Sequence, residues 1–192
     1  MREELRFINN LAVLFEIGRP LLASLRHLRM SCQQEDCLEA YDAMIQATER
    51  GGDFTDPLGD YPQLVSRSSL AVLKAGRRAS CLGVLLPKLS RVVRATVEGE
   101  WDPRQRFFMT WALMVEGGIA IPEALSELSH DFRSGPLKEV ADGLRTDNMA
   151  GRMLADGARR FPEVFDEVSI DLLRYGEARD LARALRCITR LL

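Results

Sequence analysis

The sequence predicts an all-α fold: two tandem six-helix bundles related by an internal repeat. Three observations predict it. Apolar residues recur at i, i+3 and i+4, the rhythm of one helix face. No stretch alternates apolar and polar residues for long enough to argue a strand. The chain also matches itself, without gaps, at a shift of 100 residues. At that shift Arg6 and Phe7 meet Arg106 and Phe107, and Ala12, Glu16 and Gly18 meet Ala112, Glu116 and Gly118. Gly51, Asp56 and Pro62 meet Gly151, Asp156 and Pro162, and Ser69, Leu73 and Gly76 meet Ser169, Leu173 and Gly176. The repeat places one bundle at 1–97, a linker at 98–105 ("EGEWDPRQ", punctuated by Gly99 and Pro103), and a second bundle at 106–192.

The first copy supplies the elements in order. Leu5, Ile8, Leu11, Ala12 and Phe15 form the apolar stripe of a first helix. Gly18 ends it, and Pro20 suits the first turn of the next, which carries Leu21, Leu25 and Leu28. A third starts near Asp36, read as its N-cap, and runs through Ala40 and Met44. Gly51 and Gly52 interrupt, and a short helix follows through Phe54 and Leu58. Pro62 opens a fifth, with Val65, Val72 and Leu73. Gly76 closes it, and a sixth carries Leu82, Leu86 and Leu89, with Pro87 expected to kink it or shift its start. The aromatics Phe7, Phe107, Phe108 and Trp111 read as core.

Composition narrows the function classes. Apolar residues are 46% of the chain, enough for a packed core, and a net charge of −2 gives no global attraction to nucleic acid. The most apolar run, Phe107 to Val115, stops at Glu116 and is too short for a membrane span, which takes about 20 residues. Cys32, Cys37, Cys81 and Cys187 have no C-x-x-C spacing and read as buried, reduced thiols. His27 and His130 have no partner at a catalytic or metal-ligand spacing. No nucleophile motif, phosphate-binding glycine loop or paired-carboxylate pattern appears, so no catalytic, metal or cofactor residues are assigned.

The repeated signature is similar to a known family. A helix ending in "GRPLLASL" (Gly18 to Leu25), a later Gly-x-x-Phe/Leu-x-x-x-Leu, an aromatic–proline pair and a helix ending in Gly-Glu (Gly176, Glu177) resemble the type II secretion F domain. That domain builds the inner-membrane platform protein of type II secretion and type IV pilus machines. The second copy keeps Gly118 but has Ala120 at the proline place, with Pro122 two positions later. In the first copy Arg77 replaces the glutamate and Ser80 stands where the family has glycine. The second copy is one residue short in that turn ("GEARDL").

The resemblance implies an all-helical, non-catalytic scaffold that acts by binding. Its implied partners are a secretion or pilus assembly ATPase, a membrane platform component, or a second copy of the chain. No nucleic acid and no cofactor are implied. The expected place is the cytoplasm, at the inner face of the inner membrane, with peripheral rather than spanning attachment. The continuous register favours a soluble tandem relative over a chain from which spans were removed. The alternative function is a soluble helical adaptor or regulator unrelated to secretion.

Each residue singled out also has a structural reading. Gly18, Gly76, Gly118 and Gly176 are either hinges or left-handed C-caps, and the sequence favours caps. Glu177 is expected to cap the start of the last helix, where a carboxylate suits the dipole. Glu16 and Glu116 share a repeated position, and an exposed helix face is the default for both. Lys88, Arg91 and Arg94 are spaced by three and share a helix side. They are the candidate surface for an acidic partner or anionic headgroups, against the default of a solvated face. Arg77 opposite Glu177 suggests separate roles for the two copies.

Overall fold

The computed structural model describes residues 2–192. Among them every regular element is helical, and contacts divide the chain into two compact units, one ending at Glu98 and one starting at Gly99.

The first unit contains α1 (Arg2–Glu16), α2 (Leu21–Ser31), α3 (Glu35–Glu49), a 3-10 turn (Pro57–Asp60), α4 (Arg67–Arg78) and α5 (Leu82–Val97). α1 packs on α5 and α2, α3 on α2, and α4 on α5. Phe7, Ile8, Leu11, Leu25, Met44, Phe54 and Leu86 form its core with no exposed surface. Phe7 meets Tyr41 edge-to-face, with centroids 5.9 Å apart. The phenol of Tyr41 is pushed well above its ordinary range, chiefly by burial.

The second unit contains α6 (Pro103–Glu116), α7 (Ile121–Asp131), α8 (Pro136–Met149), α9 (Leu154–Ala158), α10 (Glu167–Ala178) and α11 (Leu181–Leu191). α6 packs on α11 and α7, α8 on α7 and α9, and α10 on α9 and α11. α6 buries Phe107, Phe108, Trp111, Leu113 and Met114 completely, so it is apolar around most of its circumference. Residues 103–105, which the sequence assigns to the linker, form its first turn. Asp102 accepts the N–H groups of Arg104 and Gln105 at 2.7 and 2.9 Å, and the Gln105 side chain accepts the Asp102 N–H at 3.1 Å, a reciprocal capping box.

Several boundaries differ from those read in the sequence. Pro20 is the N-cap of α2, with ψ 138°, rather than part of its first turn. Asp36 lies in the first turn of α3, whose N-cap is Gln34, so its charge serves the dipole without capping an N–H. α4 starts at Arg67, not at Pro62. Ser66 provides the cap, and Pro62 sits in the tight turn that inserts Leu64 and Val65 into the core. α5 starts at Leu82 and runs through Pro87. Gly83 and Pro87 are both exposed, so water reaches the carbonyl that Pro87 cannot satisfy. Of the four cysteines, all free, only Cys37 is buried.

The four signature glycines divide into two kinds. Gly18 and Gly118 have φ of +75° and +84° and close the ends of α1 and α6, as expected. Gly76 and Gly176 are not caps. They lie inside α4 and α10, where the next helix crosses at close range. A Cβ on Gly76 would stand 3.1 Å from Leu82 Cα, and one on Gly176 would stand 2.5 Å from Ala184 Cβ. The left-handed residue of the first unit's hairpin is Ser80, at φ 54°. The shorter second hairpin passes through Arg179 and Asp180 with negative φ at both.

Candidate partner-binding site

Two helices of the first unit build a surface groove of about 250 Å³. α1 contributes Asn9, Ala12, Val13 and Glu16, and α5 contributes Pro87, Ser90, Arg91 and Arg94. Both sets follow i, i+3, i+4, i+7, so each lines one face of its helix. The opposite faces of these helices, with Ile8 and Leu11 on α1 and Leu86 and Leu89 on α5, are buried. Ala12 is small and Pro87 is short, which keeps the groove floor low.

The polar groups are organised around Asn9. Its Oδ1 accepts from Ser90 Oγ at 3.1 Å and from an Nη of Arg94. That contact orients the Arg94 guanidinium along the groove. Arg91 is exposed on the rim, and Glu16 has no ion-pair partner within 4.0 Å among the described residues. Arg91 and Arg94 therefore come together as the sequence spacing suggests. Lys88 is half-buried and lies outside the groove lining. Sequence reasoning missed Asn9, which stands in the Asn9–Asn10 pair between the apolar Ile8 and Leu11, and nothing in that pair marks which amide faces α5.

The second unit uses the equivalent position differently. After its one-residue deletion, Arg186 stands where Pro87 stands in the first unit, and Met109 stands for Asn9. Arg186 Nη1 reaches from α11 to Glu116 Oε2 on α6 at 2.8 Å. Glu116 is thus held by an arginine of its own unit, whereas Glu16 faces the groove.

Glu177 does cap a helix, but a different one from that expected. It lies near the end of α10, and its two carboxylate oxygens accept the Leu154 and Ala155 N–H groups at 2.5 and 3.2 Å. It therefore holds the start of α9 rather than the start of α11, which Asp180 caps through the Arg183 N–H at 2.8 Å. In the first unit Arg77 occupies the Glu177 position, and the carboxylate comes from Asp53 instead. Asp53 Oδ1 accepts the Thr55 N–H at 2.9 Å, while Oδ2 pairs with Arg77 at 3.5 Å. Met153 stands where Asp53 would be in the second unit. One structural need, an anion at the start of this short segment, is met from two different sites.

A further ionic cluster belongs to the second unit alone. Asp147, 2% exposed, accepts from Arg152 Nε at 2.8 Å and from Arg160. Ala47 and Asp60 stand at the positions of Asp147 and Arg160 in the first unit, so this clamp is not part of the shared framework. His27 is exposed, and His130 Nδ1 lies 2.7 Å from the Ser126 carbonyl. Among the described residues no group of three His, Cys, Asp or Glu side chains could hold a metal ion, and no helix is long and apolar enough to cross a membrane.

No curated protein matches the chain. The family described as "Type II secretion system (T2SS), protein F" matches it twice, over residues 7–110 and over residues 107–192. That family is one of platform-type domains in secretion and pilus machines. The two matches follow the internal repeat and together cover nearly the whole sequence, so this helical chain belongs to the type II secretion system protein F family.

Proposed function

We propose that the chain is a non-catalytic scaffold that binds another component of a secretion or pilus-type machine, an assembly ATPase or a membrane platform protein. The double family match supports the machine context. The observation that carries the binding reading is the α1/α5 groove, where Asn9 pre-orients Arg94 and Arg91 stands free at the rim. An arginine held in place before contact loses less side-chain entropy on binding a carboxylate. The Arg91–Arg94 edge is thus the docking surface for an acidic segment of the partner, with Lys88 beside it as a weaker contributor.

The test is affinity capture of the full-length protein from its native cells, with detergent-solubilised membranes included. It is run with the natural sequence and with an Arg91→Glu, Arg94→Glu variant. Recovery of a secretion-type ATPase or platform protein by the natural sequence, and its loss with the variant, is the expected outcome. Recovery of neither from the natural sequence overturns the reading and leaves an adaptor outside secretion in its place.

A further inference from the structure

The second unit carries a groove larger than the one between α1 and α5. It lies between the antiparallel helices α10 and α11 and has a volume of about 440 Å³. Leu172, Ala184 and Cys187 form its floor, Tyr175 one wall, and Arg179 and Arg183 the rim at the hairpin end. Tyr175 is 61% exposed, a large aromatic side chain left in water. Along α10, Val168, Leu172 and Tyr175 are spaced i, i+4, i+7, and Val168 is also exposed. On α11, Leu191 is exposed one turn beyond Cys187, so the apolar strip continues past the groove.

The repeat supplies an internal control. Tyr175 corresponds to Ala75 and Leu172 to Val72, both buried in the first unit. Ala184 corresponds to Leu85, which fills its site with 1% exposure, and Arg183 corresponds to Val84. Substitution in the second unit has therefore put a small residue at the crossing beside the groove, exposed an aromatic wall and added positive charge at one end. The packing scaffold does not require Tyr175 or Arg183, since the first unit does without them, whereas Ala184 sits against Gly176 at the helix crossing.

We infer that this groove is a second docking site, which takes an amphipathic helix of another protein whose apolar stripe ends in carboxylates. Three features select that occupant. A concave seam between two helices accepts the ridge of a third, with side-chain anchors at i, i+4 and i+7. Arg179 stacks on the Tyr175 ring at 5.2 Å, which holds its guanidinium at the groove end. Among the described residues neither Arg179 nor Arg183 makes an ion pair, and the carboxylate that lines the groove with them, Asp180, caps α11 through the Arg183 N–H. Two guanidinium groups against one carboxylate leave the rim net positive, a charge that a partner's acids complement. A bilayer surface suits a convex amphipathic face better than a concave seam.

The inference rests on the reading that the chain acts by binding, but on a different surface from the Arg91–Arg94 edge. Cys187 on the groove floor provides the readout. The probe is a synthetic helical peptide with Leu anchors at i, i+4 and i+7 and two Glu residues one turn beyond. Its control is a twin with Lys in place of Glu. Each is titrated into the full chain while iodoacetamide modification of Cys187 is followed by mass spectrometry, with Cys32 and Cys81 as internal references. The acidic peptide is expected to shield Cys187. Tyr175→Ala, which restores the first unit's residue, should weaken binding about tenfold, as loss of a central aromatic anchor does. The Arg179→Glu, Arg183→Glu variant should lose the acidic peptide and gain its Lys twin. Equal shielding by both peptides, or by neither, overturns the proposal. So does shielding by anionic phospholipid vesicles where the peptide fails. Arg91→Glu, Arg94→Glu must leave Cys187 shielding unchanged, which separates this site from the first.

Discussion

Glu177 and Arg77 occupy one repeated position with opposite charge, and each has a structural partner within its own unit. Glu177 caps α9, whereas Arg77 pairs with Asp53, which supplies the equivalent carboxylate from the other side. Replacing Glu177 with Ala should destabilise the second unit by about 1–2 kcal/mol, the usual cost of losing a helix cap, read as a lower midpoint in urea. Arg77→Glu sets two carboxylates together and should cost about 1 kcal/mol, which the added change Asp53→Met, copying Met153, should recover. If the double variant is no better than the single one, the compensation is not real. The packing glycines make a graded prediction. Gly176→Ala should cost about 1–3 kcal/mol by overpacking. Gly76→Ala should cost less, because its nearest neighbour is 3.1 Å away rather than 2.5 Å. Ser80, left-handed at φ 54°, should gain roughly 0.5–1 kcal/mol on replacement by Gly, since an L side chain pays for that conformation and glycine does not.

A helix start and a helix–helix contact in the second unit depend on carboxylates, which makes their stability sensitive to acid. Asp166 Oδ1 accepts the Ser169 N–H at 2.7 Å at the start of α10, and the Ser169 side chain and N–H hold its carboxyl below the ordinary range. On α8 the bond from Lys138, then that from Ser129, lowers Asp142. A carboxyl lowered in the folded state contributes stability that is complete above its unfolded pKa, about 3.9. That stability is lost as pH falls through the folded value. Thermal unfolding should therefore show little dependence on these groups from pH 7 down to about 5, then a falling midpoint below about pH 4. Asp166→Asn should flatten the acid limb. An unchanged limb would mean that the cap bond does not persist in solution. The element scale also shows what sequence could and could not reach. The apolar stripes of α1, α2 and α5 were legible because burial enforces a period of 3.6 residues. The start of α4 was not, because Pro62 fits a turn as readily as a first helical turn, and Ser66 is one serine in "SRSS" until Glu4 accepts its N–H at 3.1 Å.

At the scale of the whole molecule, the chain is two units with separate buried cores, the first centred on Phe7, Met44 and Phe54 and the second on Phe107, Trp111 and Phe165. We predict that residues 2–98 and 99–192, produced separately, each give a helical circular-dichroism spectrum and a cooperative melt, since domains of this size can bury enough apolar surface to fold. A non-cooperative melt for either would show that its core is incomplete alone. The two units have also diverged at their surfaces while keeping their frameworks. The first opens a groove at Pro87 and Asn9. The second spans the same place with Arg186 and Glu116 and opens its own at Tyr175 and Ala184. A duplicated scaffold can change contacts on one copy while the other remains intact.

The sequence by itself determined the helical class, the duplication and the family. These rest on periodicity and on a register held at a constant shift, and both are properties of the chain order alone. It also placed Arg91 and Arg94 on one helix face. Only the tertiary structure decided that Gly76 and Gly176 are sites of helix crossing rather than caps, that Glu177 serves α9, and that Lys88 lies outside the groove that Arg91 and Arg94 line. Each of these depends on which atoms of a distant segment arrive within a few ångströms. Local pattern does not encode that distance, because many packings satisfy the same apolar stripe and only side-chain volumes across the interface choose among them.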